Sequence, residues 1–126
     1  MAHVSIAHGW EFEVERGPDW LFVRPRRPAK ASPDSSVFAD QVWLILEQHF
    51  SHRVVLEMGE VGRLDARLID QLLELYDRIH AHDGMMRICG LSSGNQELLK
   101  KRQLEGRFPR FQDREEAVMG RPCWPR

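Results

Sequence analysis

The sequence is poor in cysteine, with two among 126 residues and no Cys-x-x-Cys spacing. Two cysteines cannot build a disulfide framework. Six histidines are present, but no cluster of cysteine or carboxylate ligands accompanies them to complete a metal site. The HExxH motif of metalloproteases and the P-loop of nucleotide-binding enzymes are also missing. We therefore expect a protein that has no metal, no cofactor and no catalytic residues, and that is not an enzyme.

Neither sign of charge dominates, since 18 basic and 19 acidic residues give a net charge of −1. Such a chain has no bulk attraction to nucleic acid or to an anionic membrane. No apolar run approaches the ~20 residues needed to cross a bilayer. The first eight residues, Met-Ala-His-Val-Ser-Ile-Ala-His, lack the charged start and long apolar stretch of a signal peptide. We expect a cytoplasmic protein without nucleic-acid or membrane partners.

Two hydrophobic periodicities alternate along a chain that is long enough for one domain. Alternating or short continuous apolar runs predict five strands, at residues 10–15, 20–24, 53–58, 85–89 and 108–111. Helical spacing predicts four helices, at residues 37–49, 66–82, 93–102 and 113–119. The order β-β-α-β-α-β-α-β-α favours a mixed, mostly parallel sheet packed against helices. We expect a flexible N-terminus at residues 1–9, a domain at 10–119 and a tail at 120–126.

Polar and glycine residues mark the ends of the predicted helices. Ser32-Pro33 is typical of a helix start, and Asp65 is placed to cap the helix that follows it. Ser93 and Gln96 have the spacing of a capping box. Gly84 is predicted to supply the left-handed residue that ends the 66–82 helix.

Several segments, in order, resemble the STAS domain of bacterial anti-sigma factor antagonists. Residues 54–65, Val-Val-Leu-Glu-Met-Gly-Glu-Val-Gly-Arg-Leu-Asp, look like the family's third strand and the loop before its signature. Residues 66–79 look like the signature helix, and 81–84 like its glycine-terminated end. Residues 86–92 resemble the next strand and its loop, and the match extends over 10–119. The resemblance implies a STAS-like α/β fold and a protein that acts by binding other proteins.

The family's signature reads Asp-Ser-Ser-Gly, and a partner kinase that is also an anti-sigma factor phosphorylates the serine after the aspartate. A phosphate adds about −1.5 to −2 charges to the docking surface, which prevents binding. In this chain Asp65 keeps the aspartate, but Ala66, Arg67 and Leu68 replace the rest of the signature. Alanine has no hydroxyl, so the family's position cannot be phosphorylated. Residues 25–30, Pro-Arg-Arg-Pro-Ala-Lys, likewise replace the glycine-containing end of the family's first hairpin.

The resemblance therefore implies a module that binds an anti-sigma factor, a kinase-like protein or a scaffold protein without serine phosphorylation. The expected partner-binding residues are Arg63, Leu64, Asp65, Ala66, Arg67, Leu68, Arg26 and Arg27. Ser92 and Ser93 are the nearest candidates for a substitute phosphorylation site. The sequence is compatible with a monomer or a dimer.

A small-ligand sensor or scaffold on the same fold is the alternative, because a crevice in an open α/β sheet can form a pocket. An apolar pocket of several hundred Å3 lined by aromatic residues and by Met58, Met85 and Met86 would favour it.

Overall fold

A five-stranded mixed sheet forms the centre of the fold in the computed structural model, which describes residues 2–7, 9–27 and 35–120. The strands follow one another in spatial order as β1 Ala2–Ala7, β2 Trp10–Arg16, β3 Leu21–Arg26, β4 Arg53–Glu57 and β5 Met85–Cys89. The first two pairings are antiparallel and the last two parallel. The helices are α1 Phe38–Gln48, preceded by a 3-10 turn at Ser35–Val37, then α2 Ala66–Ala81, α3 Ser93–Lys101 and α4 Arg114–Met119. The predicted STAS-like α/β class is confirmed.

Both faces of the sheet are covered, because successive strand residues point to opposite sides. Val54 and Leu56 of β4 contribute to the main core, which also holds the apolar stripes of α1 and α2. Val55, between them, packs in a second cluster with Trp20 and with Ala117 of α4. The long helices thus cover one face, and the short α4 covers part of the other.

The N-terminus differs from the flexible segment expected at residues 1–9. Residues 2–7 form β1, an edge strand that pairs antiparallel with β2 along its whole length. Gly9 has a φ of 82° and allows the sharp reversal that brings Ala7 opposite Trp10. The alternation of Val4 and Ile6 was the available signal. The strand adds an antiparallel pair, so the sheet is evenly mixed rather than mostly parallel.

The expected strand at residues 108–111 is also wrong. Only Phe111 forms a β-bridge, with Cys89 at the end of β5. Pro109 lies inside the segment and has no backbone N–H to offer a ladder. Phe108 and Phe111 are buried nonetheless, so the apolar signal was correct and the secondary structure was not.

Two of the predicted helix ends shift by one residue. Ser92, not Ser93, caps α3, and its hydroxyl accepts a hydrogen bond from the Asn95 amide at 3.2 Å. At the end of α2, Asp83 takes the left-handed conformation with a φ of 58°. Gly84 is required for space, since a Cβ there would lie 2.1 Å from the His52 carbonyl oxygen. Ser32-Pro33 and residues 121–126 lie outside the described residues.

None of the helices in the described part of the chain has the length and apolar character that crossing a bilayer requires.

Candidate docking site

The carboxyl ends of β4 and β5 bring the starts of α2 and α3 to one edge of the sheet. Both strands run parallel, so each is followed at the same edge by a loop and then a helix. The loop after β4 leads into residues 62–67, which we call the α2 turn. Of the expected partner-binding residues 63–68, the α2 turn contains all except Leu68.

Asp65 is the N-cap of α2, as predicted. Its backbone is extended, with φ −105° and ψ 171°, and its Oδ1 accepts a hydrogen bond from the Leu68 amide at 2.7 Å. This bond satisfies one of the amides that a helix leaves unpaired in its first turn. The cap fixes the point at which the chain turns into the helix, and with it the orientation of the residues on either side.

The expected partner-binding residues of this region divide into two groups. Leu64 and Leu68 are buried in the main core, so their side chains anchor the α2 turn and cannot contact a partner. Arg63, Ala66 and Arg67 are exposed, as is the capping Asp65. Within the described residues, neither Arg63 nor Arg67 takes part in an ion pair. The surface that the turn offers is therefore small, rigidly anchored and positively charged on both sides of one carboxylate.

Arg26 reaches the loop before the α2 turn but is already engaged there. Its Nε donates to Glu60 at 2.8 Å, and its other nitrogens pair with Glu11 and Glu13 of β2. The hydrogen bond with Glu60 is the main cause that raises the pKa of Arg26 above its ordinary value. Arg27 instead lies over the ring of Trp10, at 5.3 Å from its centroid. These two arginines hold the end of β3 against its neighbours.

Asn95 is a site residue that the sequence analysis missed. It is 3% exposed and is the one buried polar side chain among the described residues. Its Oδ1 accepts from the Leu64 amide at 2.9 Å, and its Nδ2 donates to the Gly62 carbonyl at 2.7 Å. An asparagine in the first turn of a helix is ordinarily explained by local capping, so the sequence carried no signal of this long-range role.

Residues 90–94, Gly-Leu-Ser-Ser-Gly, fit the Gly-x-Ser-x-Gly pattern of hydrolase nucleophiles and run from the end of β5 into the first turn of α3. The geometry does not fit that role. Ser92 has an ordinary φ of −65° instead of the strained turn of a nucleophile elbow, and its hydroxyl caps α3. The depression beside it is lined by Gly62, Arg63, Gly94, Asn95, Glu97 and Lys101 along with Leu98, and holds no histidine. Ser92 and Ser93 are both exposed.

Other groups that could carry chemistry have structural partners. Cys89 is buried, and burial raises the pKa of its thiol to about 12, so it stays protonated and weakly nucleophilic. His52 stacks on Trp43 at 5.2 Å, His82 packs tilted against the same ring at 4.8 Å, and His80 stacks on Tyr76 at 4.1 Å. No group of three or more potential metal ligands occurs within the described ranges.

The methionines named for a ligand pocket do not share one. Met58 is buried in the main core, while Met85 is exposed. Met85 and Met86 line an open depression of about 150 Å3 with Tyr76 and Phe111, smaller than the apolar pocket that a sensor would need. A depression of about 300 Å3 lies beside Leu91, Leu99 and Phe108, but it contains none of these methionines.

The STAS domain family model matches residues 13–117, so the chain belongs to the STAS domain family. Its fold is similar to that of an anti-sigma factor antagonist from Mycobacterium paratuberculosis, with TM-score 0.69, 13% identity, and coverage of 92% of this chain and 97% of that one. An anti-sigma-factor antagonist (STAS) domain protein from Planctomyces limnophilus has TM-score 0.67, 18% identity and coverage of 87% and 97%. The crystal structure of an anti-sigma factor antagonist from Thermotoga maritima has TM-score 0.73, 13% identity, and coverage of 86% of this chain and 92% of that one. No curated protein matches the sequence.

Proposed function

We propose that this protein is a non-catalytic docking module of the anti-sigma factor antagonist kind. It binds an anti-sigma factor, or a related kinase-like or scaffold protein of the cytoplasm, through the exposed residues of the α2 turn. The observation that carries the proposal is the exposure of Arg63 and Arg67 beside the anchored cap Asp65. The family and the antagonists among its structural relatives support the kind of protein.

The charge of the α2 turn indicates an acidic surface on the partner. An arginine in the first turn of a helix is mildly unfavourable, because it adds positive charge to the positive end of the helix dipole. Arg67 is in that position and has no ion-pair partner among the described residues. A carboxylate on the partner would relieve this misfit and pair with the planar guanidinium.

Ala66 makes the proposed docking independent of serine phosphorylation at this position. It is the first residue of α2 and is exposed, so it occupies the place of the family's acceptor serine without a hydroxyl. Binding would then be regulated by concentration or by another protein. The charge and the conformation of the docking surface would stay the same.

The test is a binding titration against purified anti-sigma factors and anti-sigma kinases encoded in the same genome. We expect the wild-type chain to bind at least one, and Arg67→Glu to weaken that binding at least tenfold by placing a carboxylate against an acidic surface. Arg16→Glu is the matched control. Arg16 is exposed at the edge of the sheet where β4 begins, opposite the edge that carries the α2 turn, so its replacement should leave affinity unchanged. If no such protein binds, or if both variants bind like wild type, the proposal is wrong.

A further inference from the structure

Asn95 joins two elements that are distant in sequence. Its own amide belongs to the cap of α3, where the Ser92 hydroxyl accepts it. Its side chain belongs to the α2 turn, through the bonds with Leu64 and Gly62 over more than 30 residues of chain. The start of α3 and the α2 turn are therefore held together by one buried amide.

A carboxamide carries both of the groups that this pair of bonds requires. The Leu64 amide requires an acceptor and the Gly62 carbonyl requires a donor, and the two lie within reach of one side chain. Aspartate would retain the acceptor but bring a carboxylate against the carbonyl, and leucine of similar size would leave both backbone groups unsatisfied. A buried backbone group without a partner costs about 1–3 kcal/mol.

The backbone that Asn95 holds lies between two core side chains, Val61 and Leu64. Gly62 has a φ of 80°, and a Cβ placed on it would meet nothing within 4 Å, so side-chain packing does not fix its conformation. Further fixed points along the chain are Glu60, bound to Arg26, and the Asp65 cap. Between those points, the described side chain that bonds to the backbone is that of Asn95.

We propose that Asn95 is a positioning residue that keeps the α2 turn in its binding conformation. This inference rests on the proposed function, since it assumes that the α2 turn docks on a protein. Asn95 is buried and does not touch the partner. It acts by removing conformational freedom from residues 62–65 before binding, so that the partner need not order them.

The test compares Asn95→Leu and Asn95→Asp with the control Gln96→Leu. Gln96 is the neighbouring amide in α3 and donates to the Leu91 carbonyl at 3.0 Å, so its replacement removes a bond from α3 without touching the α2 turn. Two quantities are measured in the full chain, namely backbone amide hydrogen exchange and affinity for the protein partner. The Leu75 amide in the middle of α2 serves as the reference for global unfolding.

In Asn95→Leu we expect the Leu64 amide to exchange at least tenfold faster relative to Leu75, because its acceptor is removed. Asn95→Asp keeps that acceptor and loses the bond to Gly62, and affinity should fall at least fivefold in both variants. Gln96→Leu should change neither quantity. Unchanged relative exchange at Leu64 in Asn95→Leu would overturn the positioning role, and so would unaltered affinity in both Asn95 variants. If the wild-type chain binds none of the anti-sigma proteins, it is the proposed function that fails. The exchange ratio then decides by itself whether Asn95 fixes the turn.

Discussion

Arginines that pair with glutamates of the sheet and arginines of the α2 turn illustrate two different uses of the same side chain. Arg114 bonds to both oxygens of Glu57, pairs with Glu15 and lies 4.2 Å from the ring centroid of Phe22. Arg63 and Arg67 are exposed and have no ion pair among the described residues. Arginines of the first kind hold the fold together, and those of the second kind are available to another protein.

The engaged arginines also join elements that the backbone leaves apart. Arg114 begins α4 and ties this short helix to β2 and β4, while Arg26 ties β2 and β3 to the loop after β4. Burial opposes the charge of Arg114, yet its hydrogen bonds with Glu57 and Glu15 raise its pKa above the ordinary value. The Arg26 network reaches the loop before the α2 turn, and neither network pairs with Arg63 or Arg67.

The largest effect is expected from Arg114→Ala. It removes the bonds to Glu57, whose side chain is only 15% exposed, and leaves that carboxylate with Arg24, at 3.4 Å, as its remaining cation. We expect the free energy of unfolding to fall by roughly 2 kcal/mol, while affinity for the protein partner is retained. Chemical denaturation and the binding titration measure the two quantities. Arg107→Ala, at an exposed arginine in a turn, is the control. Lost affinity with intact stability would contradict the division between the two kinds of arginine.

Ala66→Glu is expected to change stability less than Arg114→Ala does. It should raise the free energy of unfolding slightly while it weakens binding to the partner. A carboxylate at the first residue of α2 interacts favourably with the helix dipole, by about 0.3–1 kcal/mol at most. The same carboxylate adds negative charge to the docking surface, so affinity should fall at least tenfold. Ala66→Gln has the same shape without the charge and should bind nearly like wild type. A glutamate variant with full affinity would show that the partner does not contact this residue.

The sequence predicted more of the fold than of the site, for a physical reason. Helix periodicity and the cap Asp65 depend on neighbours three or four residues away, and these predictions held for α2. Asn95 acts on Gly62 and Leu64 across the chain, so no local pattern reveals it. The same limit applies to Gly84, whose role comes from the His52 carbonyl. Leu64 and Leu68 were expected at the partner surface because they adjoin or belong to the signature, but their apolar character places them in the core.

The smallest effect concerns the pH dependence of the Glu15–Arg114 pair. The hydrogen bond from Arg114 lowers the pKa of Glu15 from its ordinary value of 4.5. The unfolded chain then takes up the proton more readily than the folded one, so the pair stabilises the fold above pH 4.5 and loses this contribution as the pH falls through the folded pKa. Glu15→Gln should therefore differ from wild type in unfolding free energy at pH 7 and converge with it at low pH. Glu105→Gln, at an exposed carboxylate, should show no such convergence. A Glu15 difference that persists unchanged into acid would mean that the side chain contributes by packing and not by its charge.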